Sequence, residues 1–260
     1  MRYEHPDRRP AVVTGASSGI GAASALALAA AGHPVVLGAR RVDKCEEIAR
    51  RIRDGGGEVV VHALDVADPD SVKAFAEAAA RSMGDIEIMV SNAGGLAVGA
   101  VHTVDTDRFS REVDVNLLGA HRLVRAFVPG MVARRRGDVV FVSSDVARRA
   151  RPYTSAYTAS KWGLEGMAHA MQMELEGTGV RASIVRPGPT RSEMGSDFSA
   201  EDIEFVIEKW QLWGHARHPR TLRPSAIADA IVSVVSAPRG VHLNVVEVSP
   251  EASVVDQGGP

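Results

Sequence analysis

A phenol and an ammonium group lie four residues apart in the stretch YTASK, which begins at Tyr157 and ends at Lys161. If residues 155–177 form a helix, this i, i+4 spacing brings the two Cβ atoms to within about 5–6 Å. A free phenol, with a pKa of about 10, is a poor acid–base group at neutral pH, but a neighbouring ammonium favours the phenolate and lowers that pKa. Ser144, at the end of the strand-like run 138–144, could place a hydroxyl on the same reacting oxygen. The pattern predicts a proton shuttle, although an ordinary surface contact is the commoner explanation of such a pair in isolation.

A second chemical feature is the glycine-rich stretch from Thr14 to Gly21, which follows an apolar run and opens an alanine-rich helix. Glycines at positions 15, 19 and 21 permit a tight turn and a close approach of the backbone to a phosphate. The free N–H groups and the positive dipole of the helix N-terminus favour an anion at the same place. A bare glycine-rich turn is common, but its position after the first strand favours a phosphate site.

The elements that must position these groups alternate between strand and helix along almost the whole chain. The predicted strands cover residues 11–13, 34–39, 59–64, 86–90, 139–142, 180–185 and 242–248. They are continuous apolar runs, as expected when both faces of a sheet are covered. Repeated β–α order of this kind predicts an α/β fold, a Rossmann-like, doubly wound parallel sheet with helices on both faces. We therefore expect a single domain over residues 1–260.

Several segments need separate predictions. Residues 107–136 are predicted to be one long helix, bent or interrupted at Pro129. Asp43 is predicted to cap the helix over 43–54. Residues 188–223 do not fit the alternation and are predicted to form a lid over the substrate site. Residues 1–9 and 249–260 are expected to be mobile tails.

Composition and charge exclude several functions. A formal net charge of −2 offers no field for nucleic acid or an anionic membrane, and no apolar run reaches the ~18 residues of a membrane span. Cys45 is the only cysteine, so neither an intrachain disulfide nor a thiolate metal cluster is possible. His215 and His218 lack partners at metal-ligand spacing, so no metal is expected. Without an apolar signal region at the N-terminus, the protein is expected to be cytoplasmic.

The order and spacing of the motifs resemble those of the short-chain dehydrogenase/reductase superfamily over residues 10–248. The resemblance is carried by Gly15-x-x-x-Gly19-x-Gly21, Asn92-Ala93-Gly94, Asn116, Ser144, Tyr157-x-x-x-Lys161 and Pro187-Gly188. It implies that Tyr157 is the general acid/base, that Lys161 holds the nicotinamide ribose and lowers the tyrosine pKa, and that Ser144 orients the carbonyl. Asn116 would anchor a water chain that resupplies protons.

The same resemblance assigns a nicotinamide dinucleotide to the turns at the carboxyl ends of the strands. The phosphates would meet the first turn, and Asp65 and Val66 would meet the adenine. The stretch from Asn92 through Ala93 to Gly94 would pass the adenosine, and the 187–192 stretch would meet the nicotinamide amide. The expected cofactor-binding residues are Gly15, Ser17, Ser18, Gly19, Ile20, Arg40, Arg41, Asp65, Val66, Asn92, Ala93, Gly94, Tyr157, Lys161, Pro187, Gly188, Thr190 and Ser192.

The choice between cofactors depends on the end of the second strand. A ribose 2′-OH is usually held there by a carboxylate, whereas a 2′-phosphate requires cations. By the resemblance, Ala39 takes the family's acidic position, and Arg40 takes the basic position that follows it. A guanidinium can bind a phosphate bidentately. We therefore predict that NADP(H) is preferred and that NAD(H) is possible, although two solvated arginines are the alternative.

The substrate is predicted only as a small-molecule carbonyl or alcohol. Trp210, Trp213 and Val98 suggest an apolar pocket wall. The arginines at positions 148, 149 and 151 could receive an anionic substrate group, but a solvated loop or a subunit contact explains them better. By the resemblance, helices 107–136 and 155–177 would pair across a twofold axis in a homodimer or homotetramer. A catalytically silent dinucleotide sensor or an interaction protein on the same fold stays as the alternative function.

Overall fold

A seven-stranded, all-parallel sheet forms the centre of the molecule in the computed structural model, which describes residues 9–191, 193–194, 199–215 and 218–253. The strand order is β3-β2-β1-β4-β5-β6-β7. The strands are β1 (Ala11–Thr14), β2 (Val35–Ala39), β3 (Val59–Ala63), β4 (Ile88–Ser91), β5 (Gly137–Val142), β6 (Val180–Pro187) and β7 (Val245–Val248). The order reverses between β1 and β4, and in such sheets the crevice beyond the carboxyl ends of the strands is the usual ligand site. The predicted doubly wound parallel fold is confirmed.

Helices cover both faces of the sheet. They are α1 (Gly19–Ala30), α2 (Val42–Asp54), α3 (Pro69–Met83), α4 (Thr106–Val113), α5 (Gly119–Ala133), α6 (Ser155–Glu174), α7 (Ala200–Leu212) and α8 (Pro224–Ser236). Val12 of β1 packs with residues of α3, α5 and α6, whereas its neighbour Val13 packs with residues of α1, α2 and α8. Because successive strand residues face opposite sides, both must be apolar, which explains the continuous apolar runs in the sequence.

The segment predicted as one helix over 107–136 is interrupted, but not at Pro129. It consists of α4, a single π-helical turn over Asp114–Leu118, and α5, and Pro129 lies inside α5. The π turn contains Asn116, and such turns occur frequently at functional sites. The helix predicted over 155–177 ends at Glu174, before Gly177 with its φ of +73°. The predicted cap at Asp43 is wrong, since α2 begins at Val42 and Asp43 lies within its first turn.

Arg9 belongs to the core rather than to a mobile tail. It is 1% exposed, and its guanidinium donates to the carbonyl of Val235 at 2.8 Å and pairs with the carboxylates of Asp138 and Glu87. Arg181 also donates to Asp138, at 2.6 Å. These carboxylates lie at the amino ends of β4 and β5. The cluster is therefore at the end of the sheet opposite the carboxyl ends of the strands. Residues 1–8 of the predicted tail, residues 254–260 of the other tail and Ser192 are outside the described residues.

We expect Asp68→Ala to lower the free energy of unfolding by about 1 kcal/mol, because it removes an N-cap. The Asp68 carboxylate accepts from the backbone N–H of Asp70 at 2.9 Å at the start of α3, directly after the loop that carries Asp65 and Val66. Urea denaturation checks this. Asp70→Ala removes the same charge from the same turn without removing the cap, and an equal loss in that control would contradict the capping explanation.

Candidate active site

The residues singled out in the sequence meet at the carboxyl ends of four neighbouring strands. The glycine-rich turn follows β1, Asn92 follows β4, Ser144 follows β5, and Pro187 ends β6. Tyr157 and Lys161 reach this edge from the first two turns of α6. Parallel strands bring such positions together although they are far apart in the sequence. The structure therefore gathers the predicted groups around one crevice.

Lys161 is a buried ammonium beside the phenol of Tyr157. It is 4% exposed, its Nζ donates to the carbonyl of Val142 at 2.8 Å, and it lies 5.6 Å from the centroid of the Tyr157 ring. Tyr157 is half-buried, and the hydroxyl of Ser144 lies close enough to its phenol to favour the phenolate. The Ser144 hydroxyl also lies 3.2 Å from a carboxylate oxygen of Asp145. The three groups expected to act together are thus neighbours at the carboxyl ends of the strands.

The acid–base properties of this pair differ from the sequence-based expectation. Burial raises the pKa of Tyr157 to about 12, because it penalises the phenolate more than the Ser144 hydrogen bond and the Arg151 charge favour it. Burial also lowers the pKa of Lys161 to about 8, against the raising effects of Glu165 and Glu112. The expected lowering of the tyrosine pKa by Lys161 is therefore absent in this arrangement, where the ammonium is directed to Val142. The phenol is held in its protonated form, which suits a proton donor.

Asn116 connects three parts of the site through its side-chain amide. Its Nδ2 donates to the Gly95 carbonyl at 2.9 Å and to the Ser160 hydroxyl at 3.0 Å, and its Oδ1 accepts from the Gly95 N–H at 2.8 Å. Asn116 is 2% exposed. Gly94 lies directly beside it, since a Cβ there would be 3.0 Å from Oδ1. The π turn, the loop after β4 and helix α6 are thus fixed relative to one another.

The glycine-rich turn is shaped to hold a phosphate. Gly15 and Gly19 have φ values of +66° and +54°, which favour glycine. A Cβ at Gly21 would lie 2.2 Å from the Gly15 carbonyl oxygen, so no side chain fits there. Helix α1 begins at Gly19 with Ile20 in its first turn, and its first N–H groups lack intrahelical partners. This is the geometry in which a helix N-terminus binds an anion.

The loops around the turn are braced by hydrogen bonds. The Asn92 side chain donates to the Thr14 carbonyl at 2.9 Å, and the backbone N–H groups of Asn92 and Ala93 each donate to the Thr14 hydroxyl at 3.1 Å. Asp65 accepts from the Ala67 N–H at 3.0 Å. Val66 is buried against Gly119. The loops expected to meet adenosine are therefore held in place by the protein itself.

The two arginines at the end of β2 have different positions. Both are exposed, but the side chain of Arg41 crosses to the glycine-rich turn. There its Nη2 donates to the hydroxyls of Ser17 and Ser18 at 3.0 and 3.1 Å and to the carboxylate of Glu193 at 2.8 Å. In the described part of the chain Arg41, rather than Arg40, is thus the cation that lies beside two hydroxyls at the turn.

The nicotinamide-binding stretch expected after β6 is described up to Arg191. The Gly188 N–H donates to the Val248 carbonyl at 2.8 Å, and the Thr190 hydroxyl donates to the Gly188 carbonyl at 2.9 Å. Thr190 also forms a parallel bridge with Leu222. These contacts join the end of β6 to the last strand and to the far end of the 188–223 segment.

The loop after Ser144 contacts the 188–223 segment. Arg151 pairs with Asp145 and lies 4.8 Å from the ring centroid of Trp210, whose indole N–H donates to the Pro152 carbonyl at 3.1 Å. Tyr153 makes an edge contact with Phe205 of α7, at 4.8 Å between centroids. Helix α7 thus lies over this loop, where a lid was predicted.

The other two arginines of this loop also have intramolecular partners. Arg149 donates to the carbonyls of Trp213 and Gly214, both at 3.1 Å, and Arg148 donates to Glu247 at 3.2 Å. Both side chains are exposed, as expected of a solvated loop, and their contacts join the loop to the end of α7 and to β7. The subunit contact stays a prediction.

A buried carboxylate that was not predicted from the sequence lies below the site. Glu165 is 6% exposed, accepts from the Ser143 hydroxyl at 2.6 Å, and is held by Arg186 at 2.6 Å. Arg186 also donates to Glu247 at 2.9 Å. The signal in the sequence was the spacing, since Glu165 follows Lys161 by one helical turn and therefore shares its face of α6.

Among the described residues, no group of three or more His, Cys, Asp and Glu side chains is arranged to hold a metal ion. None of the described helices is long and apolar enough to cross a membrane.

A parallel sheet whose order reverses beside a glycine-rich turn and a helix N-terminus defines the dinucleotide-binding class of α/β proteins. Within that class, a family model described as short chain dehydrogenase matches residues 9–202. The chain belongs to the short-chain dehydrogenase/reductase family, and it is an oxidoreductase of this family, whose members act on CH–OH groups.

Relatives and solved structures agree with this assignment. The glycine betaine reductase ATRR of Emericella nidulans is 36% identical over 241 residues, which cover 92% of this chain but 18% of that protein. An alcohol dehydrogenase from the archaeon Thermococcus sibiricus, complexed with 5-hydroxy-NADP, is 31% identical with a TM-score of 0.80, over 93% of this chain and 96% of that chain. A metagenomic short-chain oxidoreductase in complex with NADP is 33% identical with a TM-score of 0.79, over 94% and 98% of the two chains.

Proposed function

We propose that this protein is an NADP(H)-preferring oxidoreductase that interconverts a ketone or aldehyde with the corresponding alcohol, with Tyr157 as the general acid/base. The observation that carries the proposal is the grouping of three side chains at the carboxyl ends of the strands, where Tyr157 lies beside the buried ammonium of Lys161 and close to Ser144. The names of the betaine reductase relative and of the archaeal alcohol dehydrogenase support carbonyl and alcohol chemistry.

The residues present fit a nicotinamide dinucleotide. The turn at Gly15 and Gly19 and the N-terminus of α1 would hold its phosphates, and Arg41 with Ser17 and Ser18 would hold a 2′-phosphate. Asp65, Val66 and the stretch from Asn92 to Gly94 would line the adenosine, and Gly188 and Thr190 would meet the nicotinamide end. When bound, the nicotinamide supplies the hydride in reduction and accepts it in oxidation.

The residues of this chain would handle the proton and the orientation of the substrate. In reduction, the Ser144 hydroxyl donates a hydrogen bond to the carbonyl oxygen and fixes its position. The O–H bond of Tyr157 breaks and a new O–H bond forms on that oxygen, as negative charge develops there. Lys161 would hold the ribose of the nicotinamide beside the phenol, and its position next to the Tyr157 ring supports this role. In oxidation the same atoms exchange the proton in the opposite direction.

A dehydrogenase screen tests the proposal. Purified protein would be assayed with ketones, aldehydes and alcohols of aliphatic, aromatic and polycyclic types, each with NADPH or NADP⁺ and with NADH or NAD⁺. We expect turnover of at least one carbonyl or alcohol and a higher kcat/KM with the phosphorylated cofactor. Tight binding of NADPH without turnover across the panel would instead support a dinucleotide sensor, and absence of binding would support an interaction protein.

We further propose a homodimer through the face of α5 and α6. The core of the single chain contains Leu164 and Met171 of α6 and also Leu175, which directly follows that helix. Trp162 and Met173 of α6 are instead 53% and 73% exposed, and Leu118 beside α5 is 45% exposed. Large exposed apolar side chains that cluster on one face mark an interaction surface.

Sedimentation tests this assembly. We expect a dimer at micromolar concentration and a shift to monomer in Met173→Glu, because a charge buried at an interface without a partner is costly. Leu212→Glu, a matched change at an exposed position of α7, should leave the dimer intact. A monomeric wild-type protein would refute the proposal.

A further inference from the structure

A buried carboxylate on α4 has no place in the chemistry described so far. Glu112 is 6% exposed, although glutamate is rarely buried unless it is paired. Its Oε2 accepts from the Ala97 N–H at 3.0 Å, while its Oε1 is buried without a hydrogen-bond partner in the described part of the chain. An unsatisfied buried acceptor costs stability. A carboxylate kept in such a place therefore calls for an explanation in function.

The position of Glu112 joins it to the reacting groups. It lies one helical turn before Asn116, on α4, which packs against α6. Through Ala97 it holds the loop after β4, and this loop forms a bridge from Gly99 to Thr154 just before Tyr157. The carboxyl is thus attached to the loop that borders the site.

Three charged or titratable groups face Glu112. Arg108 lies one turn earlier on α4, and Lys161 and Tyr157 lie on α6. Burial raises the pKa of Glu112 to about 7, and the Ala97 N–H, Arg108 and Lys161 oppose that rise in decreasing order. In return, the negative charge of Glu112 raises the pKa of both Lys161 and Tyr157, and Glu165 raises that of Lys161 more strongly.

We infer that Glu112 is a positioning residue for the reaction. From α4, its negative charge compensates the positive charge of the Lys161 ammonium, and its hydrogen bond with Ala97 holds the 95–104 loop against the site. This inference rests on the proposed function. Two buried carboxylates then act on Lys161: Glu165, one turn further along α6, and Glu112 on α4, which packs against α6. The negative charge of Glu112 favours the ammonium form of Lys161 beside the phenol.

The test is the pH profile of kcat/KM for carbonyl reduction. Glu112→Gln keeps the size of the side chain and an oxygen that accepts from Ala97, and removes only the charge. Without that charge Lys161 loses its proton at a lower pH, so the alkaline limb of the profile should shift down by about one pH unit, as expected for one nearby charge. The melting temperature at pH 8 should not fall, because the raised pKa of a buried glutamate means that its ionisation opposes folding at that pH.

Asp107→Asn is the matched control, since it removes the same charge from an exposed position of α4. We expect its profile to superimpose on that of the wild type. An unshifted profile in Glu112→Gln, or an equal shift in Asp107→Asn, would overturn the inference. A wild-type protein without any turnover would overturn the proposed function and this inference with it, so the two failures are distinguishable.

A second variant keeps the test decisive if Glu112→Gln does not accumulate as folded protein. Glu112→Asp retains the charge but shortens the reach to Ala97. We expect the alkaline limb to stay in its wild-type position while KM rises several-fold, because the loop contact weakens. A downward shift of the limb in this charged variant would contradict the role assigned to the carboxylate.

Discussion

Tyr157→Phe is expected to lower kcat about 100-fold or more while NADP(H) still binds, because general acid–base catalysis contributes about 10²–10⁴-fold. The substitution removes one oxygen and leaves the ring between Ser144 and Lys161. Since burial holds the phenol in its protonated form, the lost group is the proton donor in reduction. Steady-state kinetics with a carbonyl found in the screen, together with NADPH fluorescence titration, would measure both effects.

Tyr153→Phe is the natural control for this variant. Tyr153 lies four residues earlier, has a φ of +63° and contacts Phe205 rather than the Ser144 cluster. We expect it to retain turnover within a few-fold of the wild type. Lys161→Ala should impair both cofactor binding and rate, since Lys161 is expected to act on both. Wild-type turnover in Tyr157→Phe, or an equal loss in Tyr153→Phe, would disprove the assignment.

The second large effect concerns the cofactor. We expect the wild-type protein to bind NADP(H) about 10- to 100-fold more tightly than NAD(H), because a hydrogen bond to a charged group contributes about 1.5–3 kcal/mol and ~1.4 kcal/mol is tenfold in affinity. Arg41→Ala should remove most of this preference and leave NAD(H) affinity nearly unchanged. Arg40→Ala should have the smaller effect, because Arg41 is the arginine that meets Ser17 and Ser18. Fluorescence titration of NADPH and NADH measures the ratio.

Three further changes sharpen this prediction. Ala39→Asp should reverse the preference, because a carboxylate repels the phosphate and accepts from the free ribose hydroxyl. Glu193→Gln should strengthen NADP(H) binding, since it removes the carboxylate that now occupies Arg41. Added salt should weaken the preference, because the site is exposed and therefore screened. Equal affinity of the wild-type protein for both cofactors would mean that these arginines are only solvated.

The sequence was sufficient for the sheet and for the grouping of the main site residues. The apolar runs predict the strands because a strand such as β1 packs on both faces. The spacing of Tyr157 and Lys161 predicts their common face because both lie on one regular helix. The strands and the common face of Tyr157 and Lys161 depend on residues that are close in sequence, so the sequence pattern is enough to predict them.

Other features depend on tertiary contacts that no local pattern contains. The π turn occurs where Asn116 is bonded to Gly95 and Ser160, both distant in sequence. The glycine-rich turn is reached by the side chain of Arg41 rather than that of Arg40. Which of the two reaches it depends on the residue at which α2 begins. Arg9 and Glu112 are charged, and charged residues are normally expected at the surface. Only the assembled fold supplies the partners that allow their burial.

The candidate site lies at the carboxyl ends of the strands and a buried ion cluster lies at their amino ends, and this separation matters for redesign. The ion cluster of Arg9, Glu87 and Asp138 lies at the amino ends of the strands, about 20 Å along β5 from Ser144, at ~3.3 Å per residue. Substitutions that are well separated usually have additive effects on stability. Libraries that randomise the 95–104 loop or α7 to obtain a new substrate would therefore not alter the contribution of this ion cluster to stability. Variants selected for activity would then need no compensating substitutions at the amino ends of the strands.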